Sequence, residues 1–265
     1  MRKFAFLIST LLIFSCQSDD EQVHTNDPDP NENEPITLVK KLTNTADNGN
    51  GDNETYVLEF DYNSDKKLTK IRINNYYTEL IYNDPTRIEY KNVNENGESN
   101  SFGNYYLNTE GNITHCIAND SGYIYRIDFS YSNDGKLTQT MTCNGTEPCI
   151  NSPVSTQYFY SGDNIIKMVM NTNFGGNPSS YTYHYSFDNK FNPFYNLDYP
   201  TKIIINDMFG NTLSQNNVIQ EIKYSGEVIN YSNFYNTDNY LTNSIGTFEA
   251  TNSFYVKNEY EYIQL

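Results

Sequence analysis

Phe129-Ser130-Tyr131-Ser132-Asn133-Asp134-Gly135-Lys136-Leu137-Thr138-Gln139-Thr140-Met141 specifies a β-hairpin. Phe129 and Tyr131 stand two apart and so share one face of a strand. Asn133-Asp134-Gly135 supplies the corner, because Asn and Asp bond their own backbone and Gly accepts a left-handed conformation. Leu137 opens the returning strand. Looser copies recur at Phe60-Asp-Tyr62-Asn-Ser-Asp65-Lys-Lys-Leu68-Thr-Lys-Ile71 and at Phe234-Tyr235-Asn-Thr-Asp238-Asn-Tyr-Leu241-Thr-Asn. Shorter versions run Tyr106-Leu-Asn-Thr-Glu-Gly111-Asn-Ile113 and Tyr160-Ser-Gly162-Asp163-Asn-Ile165. Each places an aromatic at the end of one strand and an aliphatic at the start of the next. This pattern specifies pairing and carries no chemistry.

Outward from that hairpin, Tyr56, Leu58, Phe60 and Tyr62 alternate with Glu59 and Asp61, and Tyr181, Tyr183, Tyr185 and Phe187 alternate as cleanly. Short polar connections make neighbours in sequence pair antiparallel, so residues 36–265 are expected to form one all-β domain, an antiparallel meander of about 12–16 strands built from successive hairpins. An open meander exposes two pairing edges, so a closed or partly closed barrel-like sheet is expected, with a long twisted sheet as the alternative. Asn92 to Asn104 reads as a polar loop and Lys202 to Ile205 as a strand. A short helix or turn fits between Asn192 and Tyr199, before Pro200. Glu59, Asp61, Lys70, Arg72, Arg126 and Asp128 on the second faces argue against a barrel embedded in lipid, which needs an apolar outer band.

The amino terminus carries an address. Arg2-Lys3 precedes an apolar run from Phe4 to Phe14, too short to span a bilayer as a helix. Leu12-Ile13-Phe14-Ser15-Cys16 resembles the lipobox of bacterial lipoproteins, which implies a signal peptide over 1–15 and lipidation of Cys16. Gln17-Ser18-Asp19-Asp20-Glu21 resembles the surface-export signal of Bacteroidota lipoproteins. That likeness implies an outer-membrane protein facing the cell exterior. Residues 16–35 are rich in Asp, Glu, Asn and Pro and read as a lipid-anchored, acidic, flexible tether.

With 33 acidic against 17 basic residues, the formal net charge is −16. Such a surface excludes nucleic acid as the partner, since phosphates need a basic footprint. The abundance of Asn (40 residues) and Tyr (25 residues) suits hairpin corners and half-buried strand faces before any functional role is needed.

Tyr183-His-Tyr185-Ser-Phe187-Asp188-Asn189-Lys190-Phe191-Asn192-Pro193-Phe194, then Leu213-Ser-Gln-Asn216-Asn217-Val218, then Tyr235-Asn-Thr-Asp238-Asn239-Tyr240-Leu241-Thr242, together resemble the DUF4595 family of Bacteroidota lipoproteins. The likeness covers roughly 56–265 and is strongest over 181–265. It implies a porin-like β fold and no transferable activity. Phe191 and Asn239 depart from the family pattern without harming a hairpin.

Cys143 and Cys149 flank Asn-Gly-Thr-Glu-Pro and form a candidate disulfide across a long corner; Cys116 with Cys143 is the alternative. No metal site is expected, since His24, His115 and His184 are scattered. No cofactor motif or catalytic constellation is present. Asp65, Asp134, Asp188 and Asp238 are expected to cap their own corners. Tyr181, Tyr183 and Tyr185 are the candidate ligand-facing residues, equally able to line a core. The resulting expectation is a non-catalytic binding or scaffold module partnered by a glycan or an outer-membrane protein. The alternative is a glycan-binding or glycan-degrading accessory protein using Tyr, Asn and Asp side chains.

Overall fold

Successive hairpins pair in sequence order until the last strand meets the first, closing a barrel of 16 antiparallel strands. The computed structural model describes residues 35–47, 52–99, 101–150, 152–209 and 212–265. The expectations at Cys16, at Gln17 to Glu21 and at His24 lie outside them.

The strands are β1 (Thr37–Asp47), β2 (Asn53–Tyr62), β3 (Leu68–Ile73), β4 (Tyr76–Asp84), β5 (Arg87–Val93) and β6 (Ser101–Leu107). Next come β7 (Ile113–Asp120), β8 (Tyr123–Tyr131), β9 (Leu137–Asn144), β10 (Val154–Ser161), β11 (Asn164–Phe174) and β12 (Asn177–Phe191). A helix, α1 (Tyr199–Phe209), precedes β13 (Asn216–Ile222), β14 (Val228–Tyr235), β15 (Leu241–Phe248) and β16 (Phe254–Gln264). Ile36 and Leu265 exchange backbone hydrogen bonds of 3.0 and 3.1 Å, so both ends of the described chain lie at one mouth of the barrel. We call this the terminal end and the opposite mouth the distal end.

Several corners share one chemistry. At the Asn63 corner, the Asn63 side-chain oxygen accepts from the amides of Asp65 and Lys67, each at 3.0 Å. Asn108 and Asn236 repeat that pair of bonds at their corners. The fourth position is left-handed. Gly135 (φ 80°) fills it in the hairpin quoted first, while Lys66 (φ 62°) and Asn239 (φ 64°) occupy it without glycine. The leading Asn therefore caps these corners rather than Asp65 or Asp238, and Asp188 lies inside β12 rather than at a corner.

The repeated aromatic-to-aliphatic spacing has a structural purpose. Tyr62, Tyr82, Tyr131, Tyr160 and Tyr262 end alternate strands near the terminal end. Their hydroxyls donate at 2.6–2.9 Å to the carbonyls of Val39, Leu68, Ile113, Leu137 and Leu241. Leu68, Ile113, Leu137 and Leu241 are themselves at most 3% exposed. One residue pair thus fills the lumen and ties neighbouring strands together with a bond shielded from water. Tyr131→Phe should lower stability by about 1 kcal/mol, since only the hydroxyl is lost; urea unfolding followed by far-UV circular dichroism measures it.

The segment between β12 and β13 fills the same end. Phe194, Leu197, Ile203, Ile204, Ile205 and Leu213 pack against the inner faces of the strands, with Ile204 and Ile205 0% exposed. This corrects the strand expected over Lys202 to Ile205. Asp198 starts a helix there, its side chain accepting from Thr201 N–H at 2.8 Å, and Pro200 sits in the first turn, where its missing amide is harmless. Three consecutive isoleucines favour a strand by propensity, but enclosure by the wall lets a helix bury Ile203, Ile204 and Ile205 together.

The outer wall is wet. Ion pairs join Arg72 to Asp61 at 2.6 Å, Lys91 to Glu79 at 2.8 Å and Lys257 to Glu259 at 2.8 Å, all substantially solvent-exposed. Such pairs add little stability, about 0–1 kcal/mol each. Their significance is location: a charged outer wall around an apolar interior reverses the polarity of a lipid-embedded barrel. Asn92 to Asn104, read above as a loop, contains most of β6 instead. Gly103 lies opposite Tyr90 there and leaves room for its ring.

Candidate functional site

The insert fills only part of the lumen. Beyond Phe194 an open chamber of about 590 Å³ runs between β1, β2, β3, β13, β14 and β16. Phe194 forms its floor, held edge-on against Phe60 (5.7 Å between ring centres) and Tyr260 (6.5 Å). Tyr56, 40% exposed, stands further along the wall toward the distal end.

Glu221 is the chamber's one lining carboxylate among the described residues. Strand pairing sets it opposite Tyr185 on β12 and Ile229 on β14. The Tyr231 hydroxyl donates to Glu221 Oε2 at 3.0 Å. Burial holds the Glu221 carboxyl above the usual carboxylate range, against smaller opposing effects of the Tyr231 hydrogen bond and the Lys223 charge. Burial also raises the Tyr185 and Tyr231 hydroxyls, and proximity to Glu221 adds to both shifts.

A raised carboxyl binds its proton more tightly in the folded than in the unfolded protein. Its contribution is therefore most favourable below the ordinary value of 4.5 and declines as pH rises toward the raised value. Glu221→Gln should then become progressively more stable relative to the native protein as pH is raised through that window. Thermal melts at closely spaced pH values measure the difference; a gap independent of pH contradicts the shift.

A smaller cavity of about 100 Å³ adjoins the chamber, sharing Phe194, Tyr231, Asn258 and Tyr260 with it. Asn192, Asn217, Asn233 and Ser244 complete its polar lining. The Asn217 amide nitrogen donates to the carbonyls of Lys190 and Phe191, both at 3.1 Å, and that of Asn233 to the Val218 carbonyl at 3.1 Å. Those carbonyls fix the orientation of both amides, because reversal would place oxygen against oxygen. Asn217 Oδ1 and Asn233 Oδ1 remain buried without a donor. Beside them, Asp188 accepts from the Tyr235 hydroxyl and from Asn217 N–H at 3.2 Å.

Tyr181, Tyr183 and Tyr185 all face the lumen, the first two opposite Met170 and Met168 of β11. Tyr185 lies opposite the chamber carboxylate across the β12–β13 pair. Tyr181 and Tyr183 instead gather around Tyr224, with ring centres at 4.8 and 5.9 Å. Tyr224 is 60% exposed and extends the aromatic wall past the end of β13.

Sequence periodicity did not single out Glu221, Tyr231, Tyr255, Asn217 or Asn233. Each sits in a strand whose alternation resembles that of every other strand, and all but Tyr255 sit in strands of seven or eight residues. The signal available was an acidic residue on the inward phase of β13.

The cysteines lie apart from the chamber. Cys143 and Cys149 are disulfide-bonded with Cα atoms 5.6 Å apart, while Cys116 is buried on the inner face of β7. The Cys149 amide donates to Asp128 Oδ2 at 2.7 Å, and Arg126 bonds both Asp128 (2.7 Å) and the Thr146 carbonyl (3.0 Å). The Arg126–Asp128 pair on the outer face of β8 is thus a support for this corner.

A second depression, of about 510 Å³, lies beside the β1 irregularity between Val39 and Lys41. Lys41 and Glu261 in its lining already pair at 2.7 Å. Among the described residues no group of three or more His, Cys, Asp or Glu side chains is placed to hold a metal.

No family model and no curated protein matches the chain. Among solved structures, it is similar to a porin-like protein from Bacteroides uniformis. They share 16% sequence identity with a TM-score of 0.60 over 85% of this chain and 98% of the other. At that identity the likeness is one of fold: a porin-like, closed antiparallel barrel.

Proposed function

We propose that this protein is a lipid-anchored, surface-displayed β-barrel that binds a small ligand in its lumen without transforming it. The observation that carries the binding role is the half-filled interior. A barrel needing only stability gains by packing its lumen throughout, yet here an insert packs one end and a tyrosine-walled chamber stays open beyond it. Pockets of this size that combine an apolar wall with a few convergent polar groups are the usual form of a ligand site. Tyr181, Tyr183 and Tyr185 then serve as wall and approach. The lone lining carboxylate favours binding over glycoside hydrolysis, which uses two carboxyl groups flanking the bond.

The address rests on the lipobox-like Cys16 and the following Gln17, Ser18, Asp19, Asp20 and Glu21. A water-facing wall supports it, since a soluble barrel needs an acyl chain to stay at a membrane. The resemblance of 181–265 to DUF4595 lipoproteins points the same way. A protein-scaffold role is the second reading. It is favoured by Phe102 and Ile124, 49% and 43% exposed, which flank Asn119 across neighbouring strands of the outer wall.

Two assays separate these parts. Cys16→Ala should abolish incorporation of labelled palmitate, and external protease should degrade the native protein on intact cells; persistent labelling or full protection contradicts the address. Crosslinking in intact cells followed by purification through a carboxy-terminal tag tests the scaffold role. Stoichiometric capture of one outer-membrane protein through Phe102 or Ile124 would favour scaffolding over lumen binding.

A further inference from the structure

We propose that the chamber and its asparagine annex take a ligand bearing a primary ammonium group, with Glu221 as its counter-ion. This rests on the reading of the lumen as a binding site and adds the chemical class of the ligand.

The lining is electrically one-sided. Glu221 is its carboxylate, and no Lys, Arg or His contributes to the lining of either cavity among the described residues. An anionic ligand would have to enter against that carboxylate. A neutral ligand would leave it only the Lys223 charge, whose effect on it is smaller than that of burial. Phenol rings surround it: Tyr231 hydrogen-bonds it, Tyr185 lies opposite on β12, and Tyr255 lines the same chamber. The faces of such rings attract cations. The site already displays that preference, for the Lys223 ammonium sits 3.9 Å from the centre of the Tyr255 ring and 5.5 Å from that of Phe248.

The annex supplies the second half of the recognition. Asn217 Oδ1 and Asn233 Oδ1 are buried acceptors without donors. An alkylammonium carries three donors and no acceptor, whereas a sugar hydroxyl brings acceptors that need partners of their own. Ordered water could occupy the annex in the unliganded state, and a ligand N–H would replace it. A quaternary ammonium satisfies the rings but has no N–H for these oxygens. A primary ammonium at the end of a short alkyl chain satisfies both.

Calorimetry on the intact chain in about 0.15 M salt, where exposed charges are screened, tests this with four probes. They are 1,4-diaminobutane, tetramethylammonium, lactose and succinate. The diamine is expected to bind at one site, tetramethylammonium more weakly, and succinate not at all. Glu221→Gln should weaken the diamine about tenfold or more, the scale of one charge-assisted hydrogen bond, while its melt shows a folded barrel.

Affinity in the native protein should rise with pH as Glu221 loses its proton. The groups facing it are Tyr183, Tyr185, Lys223, Tyr231 and Tyr255; burial raises the hydroxyls of Tyr183, Tyr185 and Tyr231 above their ordinary value, so these three keep their protons through that range. Undiminished binding to the Gln variant overturns the proposal, as does preferential binding of succinate. Lactose binding in the chamber without diamine binding overturns it while leaving the lumen reading intact. Failure of all four probes overturns it as well, and the lumen reading is then judged by the spectroscopic mapping described at the end of the Discussion.

Discussion

Ile204→Asp should leave no folded barrel, and Ile204→Ala should lower stability by about 2–5 kcal/mol, the range for truncating a fully buried aliphatic residue. Ile204 is 0% exposed between Ile203 and Ile205, in the helix whose isoleucines join the buried core of the barrel. A carboxylate there would have neither water nor a cation to compensate it, and the loss would be comparable to the total stability of a domain, about 5–15 kcal/mol. The alanine variant leaves a void that the closed wall cannot collapse to fill. Denaturant titration measures the alanine variant, and recovery of soluble protein reports on the aspartate one. A loss below about 0.5 kcal/mol for alanine, as for an ordinary surface change, would mean that the insert does not fill the lumen.

Gly103→Ala is expected to be the second most damaging change, at about 1–3 kcal/mol or more. A β-carbon at Gly103 would lie 2.6 Å from the Ile117 carbonyl oxygen, 2.6 Å from Tyr90 Cε1 and 3.0 Å from Ala118 Cα. Two of these atoms belong to a neighbouring strand's backbone and cannot turn aside. Gly246 provides the comparison. Its added carbon would meet the side chains of Tyr231, Val256 and Ile229 at 2.9–3.2 Å, and these can rotate or shift. Gly103→Ala should therefore destabilise more than Gly246→Ala. Combining Gly103→Ala with Tyr90→Leu should recover only part of the loss, because the Ile117 carbonyl remains. Equal melting temperatures for the two single variants would contradict this ranking.

The wall was legible because its information is local. Tyr131 to Leu137 carries strand phase, corner chemistry and the start of the next strand within seven residues, and the copies at Tyr62 and Tyr235 repeat it. Closure followed from the hazard of unpaired edges. The insert was not legible, because Ile203-Ile204-Ile205 has the propensity of a strand and becomes helical inside a buried cluster that includes residues more than a hundred positions away, such as Leu38 and Phe60. Gly103 was misread for a related reason. Glycine in a polar stretch suggests a loop, and only the Tyr90 ring across the sheet explains glycine in a strand. Beside the chamber, Tyr185 stood out through the period of β12, while the lining residue Glu221 belongs to the short strand Asn216–Ile222. There an inward acid resembles an outward one until strand register is known.

The central claim is that the open part of the lumen is where this protein binds. Methyl resonances of isoleucine and valine measure that directly, because Ile73 and Val256 line the chamber, Ile203 to Ile205 lie in the packed insert, and Ile117 and Ile124 belong to the outer wall. Spectra of the intact protein would be recorded during titration with a small-molecule extract of the medium in which the source cell grows, and with the four probes named above. Lumen binding predicts that Ile73 and Val256 shift in a saturable manner while Ile117 and Ile124 stay fixed. Shifts confined to Ile117 and Ile124, or no saturable shift at Ile73 and Val256 with any of these additions, would contradict it.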